Sequence, residues 1–491
     1  MRNLLKHWQW AAGVACILAF AALFSMRLGL FESSPKDSQA AMQAANKIPG
    51  TVSWMNIFQN GKKIGYANRR FNKSGTGYVF SETVFMKLAM MGQEQDVRFQ
   101  TSGSLTQDLK LDRFDFSLGT GLTALAVRGR MEGKDLVLET GQDAAQTRIP
   151  MQEAPYLGDG LMAAVALSKM RPGETRAFPV FDPATTSQRP ARVTVVKDTQ
   201  IPIMGRQVPA RQVTVAFLGS TQSAWISQDG EVLAEESPLG IRMEKVSRQK
   251  ALAGDLVAEG ADLTEFAAVP VNVLIPDPQK LTCLKLKVQG PDDSLSGLAG
   301  GRQTFEDSVL TVCRESLPAR PAPAGEALDA VALTTYLASG PFVQSADARI
   351  IQTAKTIVAA SGTPEAKARQ IVDWVYKNVE KTPVVSVPDA LETLKTRKGD
   401  CNEHAVLVTA LGRAAGVPTR IETGLVYLRG RFYYHAWNAF YLGSWITADA
   451  AFGQFPADVT HLRFVSGDPR SWVDVMGLLG QLQLTILEQR P

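Results

Sequence analysis

Three residue types that can perform nucleophilic catalysis together occur in one part of the sequence. Cys401 is followed by His435 and then by Asp449. A thiol is a weak nucleophile until a base removes its proton, and an imidazole oriented by a carboxylate can act as that base. The order and spacing therefore predict a catalytic triad in which Cys401 is the nucleophile, His435 the general base and acid, and Asp449 the orienting carboxylate.

The residues after Cys401 predict a helix that begins at the cysteine. Apolar residues recur at spacings of three and four between Ala405 and Ala415, and Gly416 and Pro418 end the pattern. Cys401 would lie at a helix N-terminus, where unpaired backbone N–H groups and the helix dipole favour a thiolate. We therefore expect its pKa to lie below the ordinary value of about 8.5.

The two predicted partners lie on neighbouring strands. In residues 431–441, alternation places His435 and Trp437 on one face of a strand. Gly443-Ser444 indicates a tight turn, after which residues 445–449 form a second strand that ends at Asp449. Two adjacent antiparallel strands can thus present His435 and Asp449 side by side.

Each of these residues also has an ordinary structural alternative. A cysteine in an apolar helix is commonly a small buried side chain, a histidine is commonly hydrogen-bonded within the fold, and Asp449 could cap a strand end. The chain has only four histidines, which limits the choice of base. His404 shares the helix of Cys401 and would point elsewhere, and His461 lies beyond a loop as the weaker rival. Spacing favours His435.

The residues around the predicted triad resemble a known family. Three segments carry the resemblance: Arg397-Lys-Gly-Asp-Cys-Asn-Glu-His-Ala-Val-Leu407, Gly416-Val-Pro-Thr-Arg420, and His435-Ala-Trp437 with the later Asp449. They are similar to motifs of the transglutaminase-like superfamily, over roughly residues 340–491. The resemblance implies a papain-like Cys-His-Asp core and acyl transfer. Cys401 would attack a carboxamide, and the thioester would pass to an amine or to water.

Two positions differ from the common pattern of that family. Ala439 stands where an acidic residue often follows the tryptophan by two positions, and Ala450 stands where a proline often follows the aspartate. Neither change removes a predicted catalytic residue, so the chemistry is retained and substrate preference is left open.

An oxyanion hole would need two donors. The backbone N–H of Cys401 is the natural first donor, because it lies at a helix start. Trp374, Tyr376 and Asn378 are candidates for the second, although the spacing of Trp374 favours core packing.

An apolar segment near the start of the chain predicts a membrane anchor. Residues 8–31 carry one charge, Arg27, and are just long enough to span a bilayer. A cleaved signal peptide is the alternative, but the small-residue site Ser38-Gln39-Ala40 lies well beyond the apolar run. The positive flank predicts that residues 1–7 stay in the cytoplasm. The protein would then be a single-pass protein of the inner (cytoplasmic) membrane, with residues 32–49 as a tether and its bulk periplasmic or extracellular.

Cysteine usage agrees with export. Outside the predicted anchor the chain has only Cys283, Cys313 and Cys401. The first two lie in predicted strands, and an antiparallel pairing could join them by a disulfide in an oxidising compartment. Two unrelated buried thiols are an equal alternative, because strand register decides whether the sulfurs meet.

Length and turn signals predict several domains. The chain has 491 residues, too many for one core. Residues 50–269 contain many short strands separated by turns such as Asn60-Gly61, which predicts a large curved antiparallel sheet or incomplete barrel. A small β-rich segment (270–318), a linker (319–340) and an α+β transglutaminase-like domain (341–491) follow.

Several functions lack support in the sequence. The net charge is only +4, and no basic cluster is interleaved with aromatic residues, so nucleic-acid binding is not expected. No phosphate loop, dinucleotide fingerprint or zinc-ligand cluster predicts a cofactor or a metal.

The sequence thus predicts a membrane-anchored, exported acyl-transfer enzyme, either an amide or peptide hydrolase or a transglutaminase. Its expected partners are a protein or peptide substrate, the membrane and an envelope protein on the β-rich domain. A catalytically idle envelope scaffold or binding protein with the same fold is the alternative.

Overall fold

The structure is a computed structural model that describes most of the chain from residue 50 onward. The described residues are 50–491 apart from these gaps: 91–92, 120–123, 141–144, 184–186, 218–219, 238–239, 255, 257–267, 291–294, 296, 318–329, 383–387, 468–474 and 476–480. The predicted anchor (8–31), the tether (32–49) and half of the predicted linker (residues 319–329) lie outside them.

Within the described residues, the structure contains no helix with the length and apolar character needed to cross a bilayer.

The first part of the chain forms one antiparallel sheet of fourteen strands. The strands are β1 (Thr51–Gln59), β2 (Lys62–Ser74), β3 (Gly77–Met90), β4 (Gln93–Leu105), β5 (Leu111–Gly119), β6 (Ala124–Glu132), β7 (Asp135–Thr140), β8 (Ala145–Pro150), β9 (Thr175–Asp182), β10 (Ser187–Ile203), β11 (Arg206–Phe217), β12 (Ser220–Ile226), β13 (Val232–Ser237) and β14 (Ile241–Val246). Neighbours in sequence pair with each other, and β1 also pairs with β14. The predicted antiparallel β-rich region is confirmed.

The sheet is strongly curved. β5 and β9 are far apart in the strand order, yet the rings of Phe114 and Phe181 on these strands lie 5.5 Å apart. Asn60 and Gly61 both have positive φ values (49° and 80°), which suits the tight hairpin turn between β1 and β2. Two helices belong to this region: α1 (Gly158–Leu167) and α2 (Arg248–Leu252).

The rest of the chain is an α+β structure. Its strands are β15 (Val269–Pro270), β16 (Cys283–Gln289), β17 (Gln303–Glu306), β18 (Val309–Cys313), β19 (Glu380–Lys381), β20 (Lys398–Gly399), β21 (Thr419–Leu428), β22 (Arg431–Tyr441), β23 (Trp445–Ala448), β24 (Leu462–Gly467) and β25 (Gln483–Arg490). Its helices are α3 (Ala330–Thr335), α4 (Ala348–Ile357), α5 (Pro364–Asn378), α6 (Ala390–Thr396) and α7 (Cys401–Ala414), with a short 3₁₀ helix at Pro278–Lys280. The helix predicted around residues 472–479 lies outside the described residues.

These strands form two main sheets. One has the order β15-β22-β21-β24, with β23 also paired to β22, and the other has the order β17-β18-β16-β25. Because β25 pairs with β16, residues from the predicted small segment and from the predicted catalytic domain share one sheet. They also share one apolar core, in which Leu284 and Leu310 pack with Phe464 and Leu484.

Helix α7 is the centre of a second apolar core. Its residues from Glu403 to Arg413 are all buried, and they pack with α4, α5 and strands β21 to β23. Such complete burial fixes the position of the N-terminal end of the helix relative to β22. That end carries Cys401.

The two cysteines of β16 and β18 are joined. Cys283 and Cys313 are direct register partners, and they form a disulfide that spans 30 residues of sequence. Among the described cysteines, Cys401 is the free one. The disulfide alternative that the sequence left open is therefore the one in the structure.

We expect the disulfide to stabilise the fold. In the double variant Cys283→Ala/Cys313→Ala, the unfolded chain gains freedom, so the free energy of unfolding should fall by about 2–4 kcal/mol. Thermal and urea unfolding with and without a reductant would measure the change. Cys401→Ala is the matched control, because it keeps the disulfide and should stay sensitive to reductant. A double variant whose unfolding still responds to reductant would contradict this account.

Candidate active site

The predicted nucleophile is the first residue of α7, and the residues around it build the helix start. The Asp400 carboxylate accepts a hydrogen bond from the backbone N–H of Asn402 (2.8 Å), and the Glu403 carboxylate accepts one from the backbone N–H of Asp400 (3.0 Å). This reciprocal pair is a capping box. It needs glycine at position 399, because a Cβ there would lie 2.3 Å from Cβ of Glu403.

The Cys401 thiol lies against the edge of β22. This edge pairs with β15 at residues 431–432 and with β23 at residues 438–441. Between these pairings, the backbone N–H of Ala436 donates to the sulfur of Cys401, whose side chain is partly buried. The thiol therefore lies beside the residue that follows His435 in the strand.

The expected low pKa of Cys401 is wrong for this arrangement. Burial raises the pKa of the thiol well above its usual value, and the carboxylate of Asp400 raises it further, while the Ala436 N–H acts in the opposite direction. The helix N-terminus is present as predicted, but its cap is itself an anion. Cys401 is thus a neutral thiol at rest, and a base must remove its proton before it can attack.

His435 and Asp449 are brought together as the sequence predicts. Nε2 of His435 lies 2.7 Å from Oδ2 of Asp449, and both side chains are buried. Asp449 follows β23 directly, and its other oxygen accepts hydrogen bonds from the backbone N–H groups of Ala451 (2.7 Å) and Phe452 (3.1 Å). With Nε2 engaged by the carboxylate, Nδ1 is the nitrogen of His435 left to act as a base.

The sequence of this region matches one family model. Residues 351–450, which contain Cys401, His435 and Asp449, match the model of the Transglutaminase-like superfamily. The C-terminal domain is transglutaminase-like. The resemblance predicted from the sequence is thereby confirmed, and the match ends one residue after Asp449.

Two solved structures show weak similarity to parts of the chain. A beta-barrel-like protein of the domain of unknown function DUF1849 from Brucella abortus is 14% identical, covers 41% of this chain and 97% of its own, and has a TM-score of 0.33. The periplasmic domain of TgpA from Pseudomonas aeruginosa, bound to ethylmercury, is 15% identical, covers 39% of this chain and 93% of its own, and has a TM-score of 0.26. Such low scores support no functional argument. Among curated proteins, none matches this chain.

Aromatic rings restrict the His435 imidazole of the transglutaminase-like core. Phe452 is stacked on it at 5.0 Å between centroids, and Trp437 is stacked at 6.1 Å. Trp437 is itself fixed, because its indole N–H donates to buried Glu422 (3.1 Å), whose other oxygen accepts from Arg420 (2.6 Å). The imidazole can therefore rotate little without breaking these contacts.

A second histidine binds the same carboxylate. Nε2 of His461 lies 2.9 Å from Oδ2 of Asp449, and its Nδ1 lies 3.2 Å from Oδ1 of Asp458. His461 was predicted only as a rival base, but in the structure it shares Oδ2 of Asp449 with His435. His461 lies after the segment that matches the family model (residues 351–450), so the motifs of the family do not identify it.

The two histidines and the carboxylate raise the question of a metal. In the described part of the chain, the nitrogen and oxygen atoms of His435, Asp449 and His461 lie within 4.8 Å of one another. Two ligands of one tetrahedral zinc at about 2.0–2.1 Å would lie roughly 3.3 Å apart. The observed separations of 2.7 and 2.9 Å are instead those of direct hydrogen bonds. The three groups form a hydrogen-bonded network.

Burial and hydrogen bonding set the charges in this network. Burial alone would raise the pKa of Asp449, but the neighbouring His435 and His461 hold that pKa well below its usual range. Burial alone would likewise lower the pKa of His461, but hydrogen bonds to Asp449 and Asp458 raise it to about 9. Asp449 and Asp458 are therefore ionised in this network, and His461 is an imidazolium at neutral pH.

The candidate oxyanion donors lie on α5. The Asn378 amide donates to the carbonyl of Trp374 (2.8 Å), so it closes the helix end. Trp374 packs partly against the core around α7, and the Arg397 guanidinium lies 4.3 Å from its ring, which agrees with a structural role. Tyr376 is 40% exposed and lines a groove.

Two other polar residues lie near Cys401. The Tyr434 hydroxyl donates to Asn402 (3.0 Å), one residue after the thiol. His404 is buried, and its Nδ1 lies 2.6 Å from the carbonyl oxygen of Asp400. Burial lowers the pKa of His404, so it is a neutral part of the helix start. This agrees with the expectation that His404 points elsewhere than Cys401 and does not act as the base.

A buried ion pair braces the loop that carries Asp449. Arg302 donates to Glu315 (2.8 Å) and also to the carbonyl oxygens of Ala457 (2.6 Å) and Asp458 (2.9 Å). Glu315 in turn accepts a hydrogen bond from the backbone N–H of Thr447 (2.6 Å), two residues before Asp449. Residues 302–315 thus hold both ends of the segment 447–458.

A groove of about 610 Å³ reaches this region from the surface. It is lined by Pro276–Lys280, Tyr376, Lys381, Leu428 and Phe452, among others. Phe452 is also the ring stacked on His435, so one lining residue of the groove contacts the imidazole. Its volume is in the range of pockets that hold small ligands or short peptide segments.

Asp400 offers a direct test of the charge effect on the thiol. Asparagine can replace aspartate as an N-cap, so Asp400→Asn should keep the helix start and remove one negative charge. We expect the pKa of Cys401 to fall, and iodoacetamide to alkylate the thiol several-fold faster than in the wild type near neutral pH. Alkylation rates between about pH 6 and pH 10 would show it.

The matched control is Asp347→Asn, which changes the exposed N-cap of α4. Its alkylation profile should equal that of the wild type. If Asp400→Asn also left the profile unchanged, the charge of Asp400 would have no part in setting the thiol pKa.

Proposed function

We propose that this protein is a membrane-anchored, exported, cysteine-dependent acyl-transfer enzyme. The observation that carries the proposal is the 2.7 Å hydrogen bond between His435 and Asp449, on the strand whose next residue, Ala436, donates to Cys401. A buried carboxylate that holds Nε2 of an imidazole leaves Nδ1 available to take a proton, and the strand that carries this imidazole contacts the thiol through Ala436. This is the arrangement that nucleophilic catalysis by a cysteine requires.

The chemistry follows from these positions. Nδ1 of His435 takes the proton of Cys401 as the sulfur attacks the carbonyl carbon of an amide, and Asp449 stabilises the imidazolium that forms. The carbon–nitrogen bond then breaks, the imidazolium gives its proton to the leaving amine, and a thioester remains on Cys401. Water or a second amine attacks the thioester and releases the thiol.

The groove supports a peptide or protein as the substrate. It is lined in part by Phe452, which is stacked on His435 and is 37% exposed. Solvent can therefore reach the neighbourhood of the imidazole, which favours hydrolysis over transfer to an amine, since enzymes that transfer acyl groups must exclude water from the thioester.

An idle scaffold or binding protein is the second candidate. The raised pKa of Cys401 favours it, because a thiol that stays protonated does not react unless His435 acts on it. In this case the transglutaminase-like fold would serve only to bind an envelope partner.

The proposed location rests on the apolar segment 8–31 and on the disulfide. A disulfide such as Cys283–Cys313 is typical of oxidising compartments outside the cytoplasm. A single N-terminal anchor would leave the β-rich domain and the transglutaminase-like domain in the periplasm or outside the cell, where the β-rich domain could bind an envelope partner.

Substitutions in the proposed triad should separate the two candidates. We expect Cys401→Ala to abolish cleavage of amide substrates, and Asp449→Asn to lower kcat by about 10²–10⁴-fold, because the imidazole loses its orienting charge. The assay would use a library of peptide amides, with and without hydroxylamine as a competing amine. Hydroxamate product would identify the thioester and measure its partition between water and amine.

Cys401→Ala also serves as a substrate trap in envelope extracts, with the wild type as its control. Turnover that survives Cys401→Ala would exclude the proposed nucleophile. If iodoacetamide reacts with Cys401 at the same rate in the wild type and in the His435→Ala variant, the result would favour the idle scaffold.

A further inference from the structure

We infer that His461 is a buried, cationic positioning residue that holds the Asp449 carboxylate toward His435. This role rests on the proposed function, since it concerns the same base. It is carried by three features of His461: its two hydrogen-bonded nitrogens, its complete burial, and its distance from the ring of His435.

One oxygen serves both histidines. Oδ2 of Asp449 lies 2.7 Å from Nε2 of His435 and 2.9 Å from Nε2 of His461. Because an ionised carboxylate only accepts hydrogen bonds, each of these nitrogens must carry a hydrogen. Oδ1 is occupied by the backbone N–H groups of Ala451 and Phe452. The carboxylate therefore has a single orientation, which His461 helps to fix.

The other nitrogen of His461 also faces acceptors. Nδ1 lies 3.2 Å from Oδ1 of Asp458 and 3.2 Å from the carbonyl oxygen of the same residue. Neither atom has a hydrogen to give, so Nδ1 must donate as well. A histidine that donates from both nitrogens is an imidazolium. The geometry alone thus assigns a positive charge to His461, and its raised pKa agrees.

The charged groups around His461 come from several elements. Asp449 and His435 face it from the β22–β23 side, and Asp458 faces it from its own loop. Arg302 donates to the carbonyl of His461 and pairs with Glu315. Trp437 packs edge-on against the ring at 5.2 Å and separates it from the pair Arg420–Glu422. The two carboxylates Asp449 and Asp458 therefore sandwich the cation.

The charge of His461 lies close to the proposed base. Its ring centroid lies 5.7 Å from that of His435, and both rings are buried. A buried cation at this position stabilises the ionised Asp449 carboxylate. His461 thereby holds in place the acceptor that orients Nε2 of His435.

His461→Gln tests this role, because glutamine can donate one hydrogen bond to Asp449 but carries no charge. We expect iodoacetamide to alkylate Cys401 several-fold more slowly than in the wild type, because Asp449 loses the buried cation that holds its carboxylate toward His435. Thr460→Val is the matched control: it removes a 2.6 Å hydrogen bond to the same Asp458 oxygen without touching Asp449. Its alkylation profile should equal that of the wild type.

Two measurements need no substrate, so they test the charge of His461 even if the proposed enzyme activity is wrong. In wild-type protein, ¹⁵N NMR should show both ring nitrogens of His461 protonated at pH 7. Since the pKa of His461 is raised by folding, its stabilisation should be full below the unfolded value of about 6.5 and be lost as pH rises toward about 9. The melting temperature should thus decline over that range in the wild type but not in His461→Gln.

Three outcomes would overturn the inference. They are a neutral His461 in the NMR spectrum at pH 7, an unmoved alkylation profile in His461→Gln, and zinc that binds to wild-type protein through these histidines and is lost in His461→Gln. If instead all peptide amides stay uncleaved while the NMR and melting results are as expected, the proposed enzyme activity fails and the charged state of His461 stands.

Discussion

The hydrogen bonds onto the Asp449 carboxylate are the interaction on which the site depends. Four N–H groups converge on its two oxygens: two from imidazoles and two from its own turn. A buried carboxylate would be costly without them, because desolvation penalises its charge. The two imidazole donors come from separate segments, β22 and the loop after Asp458, which the fold must bring to Asp449. The aromatic stacking on His435 and the position of the thiol both follow from where this carboxylate is held.

Local patterns in the sequence were enough to predict the elements that position Cys401, His435 and Asp449. The spacing of apolar residues after Cys401, the alternation around His435 and the turn at Gly443 each describe a single element, and the structure has α7, β22 and β23 where they predict. The role of His461 could not be read in this way. It depends on how the segment after Asp449 folds back, which is decided by Asp458 accepting from Thr460 and by Arg302 donating from another sheet. The available signal was the short spacing of Asp458 and His461.

The thiol shows a different kind of error. A helix N-terminus favours an anion, and the sequence placed Cys401 there correctly. The same sequence also showed Asp400 one residue earlier, and an aspartate is a good N-cap because its charge uses the same backbone N–H groups. The Asp400 carboxylate and a Cys401 thiolate would therefore compete for stabilisation by the same helix N-terminus. Burial, which no local pattern reports, adds to the preference for a neutral sulfur.

Because Arg302 and Glu315 hold the loop that carries Asp449, the folded domain extends beyond the segment that matches the family. The segment that matches the family ends at residue 450, yet the loop carrying Asp449 is held by side chains that precede it by more than a hundred residues. A truncated protein that begins at residue 341 would keep Cys401, His435, Asp449 and His461 and lose both bracing residues. The unit of folding is thus larger than the unit of resemblance, and the geometry of the site is a property of the larger one.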